Sequence, residues 1–197
     1  MLQKLKNSDP KVFAIENSQL AYSCLKQNCL ANNVYTEINN NRATGVFIYN
    51  TELEINSTIK SNSDIIKDLS TSKFTYIVAD LPFVDTKIGE TNKDLESAFF
   101  DEKHKLQESV LKFFSENNEI IDDKARLLKS FSSLGGDLDI LSFEMLINKY
   151  NLCTIKKVAF IENGYEWFTY VIMRRTSFIN FLPNMPNRYW WEELNVK

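Results

Sequence analysis

The segment Phe74-Thr-Tyr-Ile-Val-Ala-Asp80-Leu81-Pro82-Phe83 carries the strongest structural signal in this 197-residue chain. Its apolar run from Tyr76 to Ala79 is short and rich in residues that favour strands, which predicts a parallel strand buried on both faces. The strand stops at an acid, an apolar residue, a proline and an aromatic ring. Because open α/β sheets place their chemistry at the carboxyl ends of their strands, we expect Asp80 to belong to a functional site.

Strands and helices alternate along the rest of the chain. Lys11–Glu16 is a predicted strand that ends at a carboxylate, and Gln19–Ala31 has the apolar spacing of a helix. Asn163-Gly164 is a two-residue hairpin signal. Further strands are predicted at residues 34–38, 46–49, 125–131, 154–161 and 167–173, and further helices at 61–70, 98–117 and 137–150.

This alternation predicts an α/β fold, with a Rossmann-like, mostly parallel sheet and helices on both faces. A C-terminal antiparallel β-hairpin closes the predicted sheet. We expect one domain over residues 1–175 and an aromatic and proline-rich tail at 176–197 that packs on it.

Composition narrows the classes of protein. A formal net charge of −3 does not indicate a strongly basic nucleic-acid binder. The absence of an 18-residue apolar run and of a signal-peptide pattern predicts a cytoplasmic chain with no membrane partner. The three cysteines lack metal spacing and are expected to be free, mostly buried thiols. His104, the single histidine, lies in a charged segment and is expected on the solvated surface.

Asp80-Leu81-Pro82-Phe83 resembles the [Asn/Asp]-[Pro/Leu/Ile]-Pro-[Phe/Tyr/Trp] motif of class I amino-group methyltransferases, which use S-adenosylmethionine. The strand ending at Glu16 and the helix after it look like the second strand and next helix of that family. Residues 137–173 resemble its last helix and terminal hairpin. The resemblance covers most of residues 11–175 and implies a class I methyltransferase-like fold with S-adenosylmethionine as cofactor.

The resemblance also implies roles for single residues. Glu16, followed by Asn17, would bind the ribose of the cofactor, and Asp64 would lie near its adenine. Asp80 and a nearby backbone carbonyl would accept hydrogen bonds from the two N–H groups of the target amine, and Phe83 would stack on a flipped base. The implied acceptor is an amino nitrogen of RNA, DNA or protein. A leucine at position 81 is closer to the ribosomal-RNA adenine dimethyltransferases than to the DNA enzymes.

A plainer interpretation of the motif stays open, because Asp-x-Pro after a strand also forms ordinary turns. Asp caps such turns and Pro fixes the backbone angle φ. The motif alone would not decide between a turn and a substrate site.

The sequence departs from the family at its front. The family's first strand lies in the middle of the sheet, and a Gly-x-Gly turn follows it, yet the five glycines here are Gly45, Gly89, Gly135, Gly136 and Gly164. The chain could be a shortened methyltransferase, one piece of a split enzyme, or a binding module. An open sheet edge invites pairing, so we expect it to be covered by a partner chain, by another copy, or by direct pairing of the Val12 and Tyr76 strands.

Two functions from different classes follow. One is a methyltransferase acting on an amino nitrogen, with Asp80, Leu81, Pro82 and Phe83 at the substrate. The other is a non-catalytic methyltransferase-like subunit that serves assembly or presents a substrate.

Overall fold

The structure, a computed structural model, describes residues 11–16, 19–32, 45–50, 73–82 and 101–181. The chain divides into two compact units, Met1–Lys67 and Asp68–Lys197.

The described residues of the first unit form a parallel strand pair and one helix. Strand β1 (Lys11–Glu16) pairs with β2 (Gly45–Asn50), and helix α1 (Gln19–Ala31) lies between them in sequence. Cys29 is buried on α1 and packs against Val12, Ala14, Tyr22 and Leu25. The predicted elements 11–16, 19–31 and 46–49 are confirmed, whereas the predicted elements at 34–38 and 61–70 lie outside the described residues.

The second unit combines a four-stranded sheet with helices. Its described elements are, in chain order, β3 (Phe74–Ala79), a 3-10 turn (Glu102–His104), α2 (Lys105–Glu116), β4 (Ile121–Ser132), a 3-10 turn (Ser133–Gly135), α3 (Asp137–Lys149), β5 (Leu152–Glu162), β6 (Tyr165–Arg174) and α4 (Arg175–Phe181).

The sheet of this unit has the order β3-β4-β6-β5. β3 runs parallel to β4, and β6 runs antiparallel to both of its neighbours. Asn163 (φ 53°) and Gly164 (φ 81°) connect β5 to β6 with the left-handed backbone that tight hairpin turns need. The mixed α/β class and the C-terminal antiparallel hairpin are therefore confirmed.

β4 carries the core of the second unit. From Ala125 onward its alternate side chains are buried, which places Leu127, Lys129 and Phe131 on one face. The ring of Phe131 stacks on Phe143 of α3 with centroids 4.7 Å apart. The Phe143 ring in turn meets the edge of Tyr170 from β6 at 5.2 Å. This aromatic column attaches α3 to the middle of the sheet.

Burial of β3 on both faces was a wrong expectation. Ala79 is buried, but Tyr76 is 58 % exposed and Val78 is 63 % exposed. Among the described strands β1 pairs only with β2, and β3 pairs only with β4. Direct pairing of the Val12 and Tyr76 strands would join the two units and stays a prediction.

Helix α3 leaves part of its apolar surface exposed. Phe143 and Ile147 are buried together with Asp139. The apolar residues Leu138, Leu141 and Met145 are instead all more than half exposed and follow one another at helical spacing. We call these three residues the α3 stripe.

Two further expectations concern the cysteines and membrane segments. Cys24, Cys29 and Cys153 are all free thiols, as expected, but the expectation that they are mostly buried is wrong, because only Cys29 is buried and Cys24 is exposed. In the ranges that the structure describes, every helix is too short or too polar to cross a membrane.

Arg174 joins helix α2 to the sheet. Its guanidinium group is buried at the end of β6 and donates hydrogen bonds from Nε (3.1 Å) and Nη2 (2.9 Å) to the carbonyl oxygen of Phe114. It also lies 5.5 Å from the centroid of the Phe114 ring. A buried carbonyl near the end of α2 thereby gains a charged partner.

We expect Arg174→Lys to lower the free energy of unfolding by about 1.5–3 kcal/mol, because a lysine cannot reproduce the fork of N–H donors on one carbonyl. Urea unfolding followed by circular dichroism measures the change. The matched control Arg126→Lys, at an exposed position of β4, should shift stability by less than about 0.5 kcal/mol. Equal shifts in the two variants would contradict the role given to Arg174.

Candidate functional site at the carboxyl end of β3

Residues 80–82 of the predicted motif follow β3 directly as irregular chain without a hydrogen-bonded turn, and we call these three residues the turn. Asp80 is exposed, whereas Leu81 and Pro82 are half-buried. Asp80 therefore offers its carboxylate to solvent from a turn whose following residues are anchored in the protein. Phe83 lies outside the described residues.

A buried lysine lies behind this turn. Lys129 of β4 is only 1 % exposed and occupies a core position of the strand. Its Nζ donates a hydrogen bond to the carbonyl oxygen of Leu81 at 3.5 Å and a second one to the carbonyl oxygen of Ser130. β4 thus reaches across to the neighbouring strand end and holds the first carbonyl after Asp80.

Helix α2 holds the second carbonyl of the turn. Gln107, which is 1 % exposed, donates a hydrogen bond from Nε2 to the carbonyl oxygen of Pro82. Gln107 is fixed in turn by Asp101, whose carboxylate accepts hydrogen bonds from the backbone N–H groups of Leu106 (2.9 Å) and Gln107 (3.0 Å). The Asp101 carboxylate therefore caps the first turn of α2, where N–H groups lack helical partners.

For each of the two buried ionisable groups near residues 80–82, Lys129 and Asp101, burial and neighbouring charges shift the pKa in opposite directions. Burial lowers the pKa of Lys129 to about 8, against the opposing effect of the negative charges of Asp80 and Asp101. Burial raises the pKa of Asp101, although its two backbone hydrogen bonds and the charges of His104 and Lys129 act the other way. The site is therefore a compensated charge cluster with one exposed member, Asp80.

The prediction that His104 lies on the solvated surface is wrong. The residue is buried at 4 % exposure, and its Nε2 lies 3.7 Å from Oδ1 of Asp139. Lys103 and His104 both have left-handed backbone angles (φ 54° and 53°), which turn the chain sharply before α2. Such angles in non-glycine residues are costly and are maintained by the surrounding structure. Here they bring Asp101 to the start of α2.

Sequence periodicity contains a signal for both buried donors, although neither was predicted. Lys129 falls in the alternating pattern between Leu127 and Phe131, and Gln107 falls in the helical pattern with Val110 and Leu111. A polar residue at a core position needs a partner when it is buried. That rule, applied to the periodic pattern alone, selects both residues.

The predicted cofactor residues belong to the first unit. Glu16 is the last residue of β1 and is the register partner of Asn50, the last residue of β2. The role of Glu16 at the ribose of S-adenosylmethionine stays a prediction. Asn17 and Asp64 lie outside the described residues.

A surface depression of about 290 Å³ between α3 and the β5–β6 hairpin is the other feature of note. Glu144 lies at its edge and accepts hydrogen bonds from Lys157 (3.3 Å) and Tyr170 (3.1 Å). Three of the polar side chains that line the depression are thus paired with one another. The described ranges also contain no group of three histidine, cysteine or acidic residues that could hold a metal ion.

Comparisons with known proteins give distant structural likeness only. No protein-family profile matches the chain, and no curated protein matches it. The solved structures that it resembles include a ribosomal protein L11 methylase from Lactobacillus delbrueckii subsp. bulgaricus, with TM-score 0.47 and 13% identity over 84% of this chain and 58% of that one. A SAM-dependent methyltransferase from Leishmania major has TM-score 0.42 and 9% identity, over 82% of this chain and 55% of that one.

A tRNA methyltransferase from B. subtilis has TM-score 0.34 and 12% identity, over 87% of this chain and 64% of that one. The chain thus spans less than two thirds of the length of each of these proteins. At these scores and identities the likeness assigns neither a family nor an activity.

We expect the stability of the protein to depend on pH through Lys129. The pKa of Lys129 is about 8 in the folded chain and 10.5 as its ordinary value, so the unfolded chain binds the extra proton between these limits. The free energy of unfolding should therefore rise with pH across that window, by roughly 3 kcal/mol at most.

Urea unfolding at pH 7, 9 and 10.5 measures this rise as the difference between wild type and Lys129→Met. Lys129→Arg is the control, because an arginine stays charged throughout and gives no rise over the window. A wild-type curve parallel to that of the methionine variant would show that Lys129 does not titrate there.

Proposed function

We propose that the chain is an S-adenosylmethionine-dependent methyltransferase, or a shortened relative, that acts on an amino nitrogen of a nucleic acid or a protein. The observation that carries the proposal is the turn after β3. The exposed carboxylate of Asp80 is followed by the carbonyls of Leu81 and Pro82, which accept hydrogen bonds from the buried side chains of Lys129 and Gln107.

The turn suits an amine that must present its lone pair to an electrophile. The Asp80 carboxylate can only accept hydrogen bonds. A hydrogen bond from an N–H group of the amine would orient the nitrogen and its lone pair. The negative charge of the carboxylate also stabilises the positive charge that develops on that nitrogen during transfer. Because Leu81 and Pro82 are held by Lys129 and Gln107, the carboxylate is presented from a fixed frame rather than from a mobile loop.

S-adenosylmethionine, when bound, would supply the electrophilic methyl group. Glu16 at the end of β1 would hold its ribose, with Asn17 and Asp64 as the further predicted contacts. The order of these acids along the chain supports this assignment together with the strand end at Glu16.

Calorimetric titration of the full chain with S-adenosylmethionine tests the first half of the proposal. Transfer of a labelled methyl group to RNA, DNA or a glutamine-containing peptide tests the second half. The proposal fails if the chain neither binds the cofactor nor methylates any of the three acceptors, alone or with a partner chain present.

We expect Asp80→Ala to lower kcat by roughly 10²-fold while the affinity for S-adenosylmethionine stays within about twofold, because the carboxylate acts on the amine. Asp80→Asn should retain more activity, since its amide oxygen still accepts a hydrogen bond. The matched control is Glu119→Ala, which removes an exposed carboxylate from the turn before β4. Full activity of Asp80→Ala, with the fold preserved, would exclude Asp80 from the site.

The second candidate is a non-catalytic methyltransferase-like subunit. The α3 stripe favours it, because three large apolar side chains in a row on one helix are typical of a surface that binds another protein. In that case the aromatic tail at 176–197 would also contribute to assembly.

The two candidates differ in their response to two substitutions. A catalytic chain loses activity with Asp80→Ala and keeps it with Leu141→Ser. A structural subunit keeps its complex with Asp80→Ala and loses it with Leu141→Ser, as measured by co-purification and sedimentation with its partner.

A further inference from the structure

Lys129 occupies an unusual place for a lysine. It lies in the middle of β4, between β3 and β6, with its side chain on the same face as Leu127 and Phe131. A charged amine at such a position is costly to bury, and hydrophobic residues would fill the same space without that cost. The contacts of Lys129 therefore indicate what a lysine does at this position that a hydrophobic residue could not.

The contacts of Lys129 lead to the turn that bears Asp80. Its Nζ donates to the Leu81 carbonyl at 3.5 Å, and the charges that act on it are those of Asp80 and Asp101. Asp101 is itself under the influence of His104, and it caps the helix whose Gln107 holds Pro82. Every charged group of this cluster is thus connected to the shape of residues 80–82.

We propose that Lys129 is a positioning residue: from beneath the turn, its ammonium group holds the Leu81 carbonyl and balances the charge of Asp80 in the arrangement that receives the target amine. This inference rests on the proposed function. Lys129 does not contact the substrate itself and acts through Leu81 and Asp80. Its loss should leave cofactor affinity intact and impair the presentation of the amine.

Three variants of the full chain separate this role from a merely structural one. Lys129→Met keeps the volume and removes the charge, and Lys129→Arg keeps a charge that does not titrate. Lys157→Met is the matched control, because Lys157 is a half-buried lysine of β5 in the same sheet. Each variant is assayed for methyl transfer from S-adenosylmethionine between pH 6.5 and about 9.5.

We expect Lys129→Met to lower kcat by roughly 10²-fold with an unchanged KM for S-adenosylmethionine, and Lys157→Met to behave as wild type. Wild-type activity should fall as pH rises through about 8, where the ammonium group loses its proton. Lys129→Arg should recover part of the activity and lack that falling limb. Equal kcat in the two methionine variants would overturn the proposal.

Hydrogen–deuterium exchange of the unliganded proteins gives a readout that needs no activity. The amides of residues 80 and 81 should exchange faster in Lys129→Met than in wild type and Lys157→Met, and unchanged exchange would overturn the proposal. A wild-type chain that transfers no methyl group to any acceptor would contradict the proposed function instead. The exchange result then decides alone whether Lys129 holds the turn.

Discussion

The burial of the Lys129 side chain constrains this part of the protein more than any other single interaction. A buried ammonium group needs hydrogen-bond acceptors and nearby negative charge. The Leu81 and Ser130 carbonyls accept its hydrogen bonds, and the carboxylates of Asp80 and Asp101 supply the negative charge. One of those carboxylates, Asp101, caps the first turn of α2, and the other, Asp80, follows the last residue of β3. The compensation of one charge therefore links three elements of the second unit.

β4 serves two purposes because its side chains alternate so regularly. Leu127 and Phe131 contribute to the hydrophobic core. Lys129 lies between them on the same face and donates a hydrogen bond to the Leu81 carbonyl, just after the end of the neighbouring strand. The strand that bears Lys129 is itself fixed by the packed rings of Phe131, Phe143 and Tyr170. Residues 80–82 are therefore supported by a well-packed part of the unit. A site supported in this way is defined by strands and a helix, and its precision does not depend on the loop alone.

Local patterns in the sequence predicted most of the described elements. Gln19–Ala31, Phe74–Ala79 and the Asn163-Gly164 hairpin are found where apolar period and turn chemistry indicated them. Tertiary contacts decided what the patterns could not. His104 is buried because two left-handed residues turn the chain inward, and no periodic rule detects such a turn. The α3 stripe shows the opposite case, in which apolar spacing was present and burial did not follow.

The candidate site was predicted in its exposed part and missed in its supporting part. Asp80 at a strand end followed from the order of residues in one segment, whereas Lys129 and Gln107 come from elements far along the chain. Partnerships of that kind depend on how strands pair, which a single sequence does not specify. The polar residues at core positions were nevertheless visible, and asking which group satisfies each of them would have led to the turn.

The β5–β6 hairpin has a consequence for the order in which the second unit assembles. Its strands meet across a two-residue turn, so their pairing costs little chain entropy. β3 pairs in parallel with β4 across a long connection that includes α2, and this non-local pairing is the slower kind. During synthesis β3 leaves the ribosome before β4, and Asp80 gains its support only when Lys129 arrives. In an incompletely folded chain, residues 80–82 therefore do not yet have the support of Lys129, so their arrangement depends on the completion of folding.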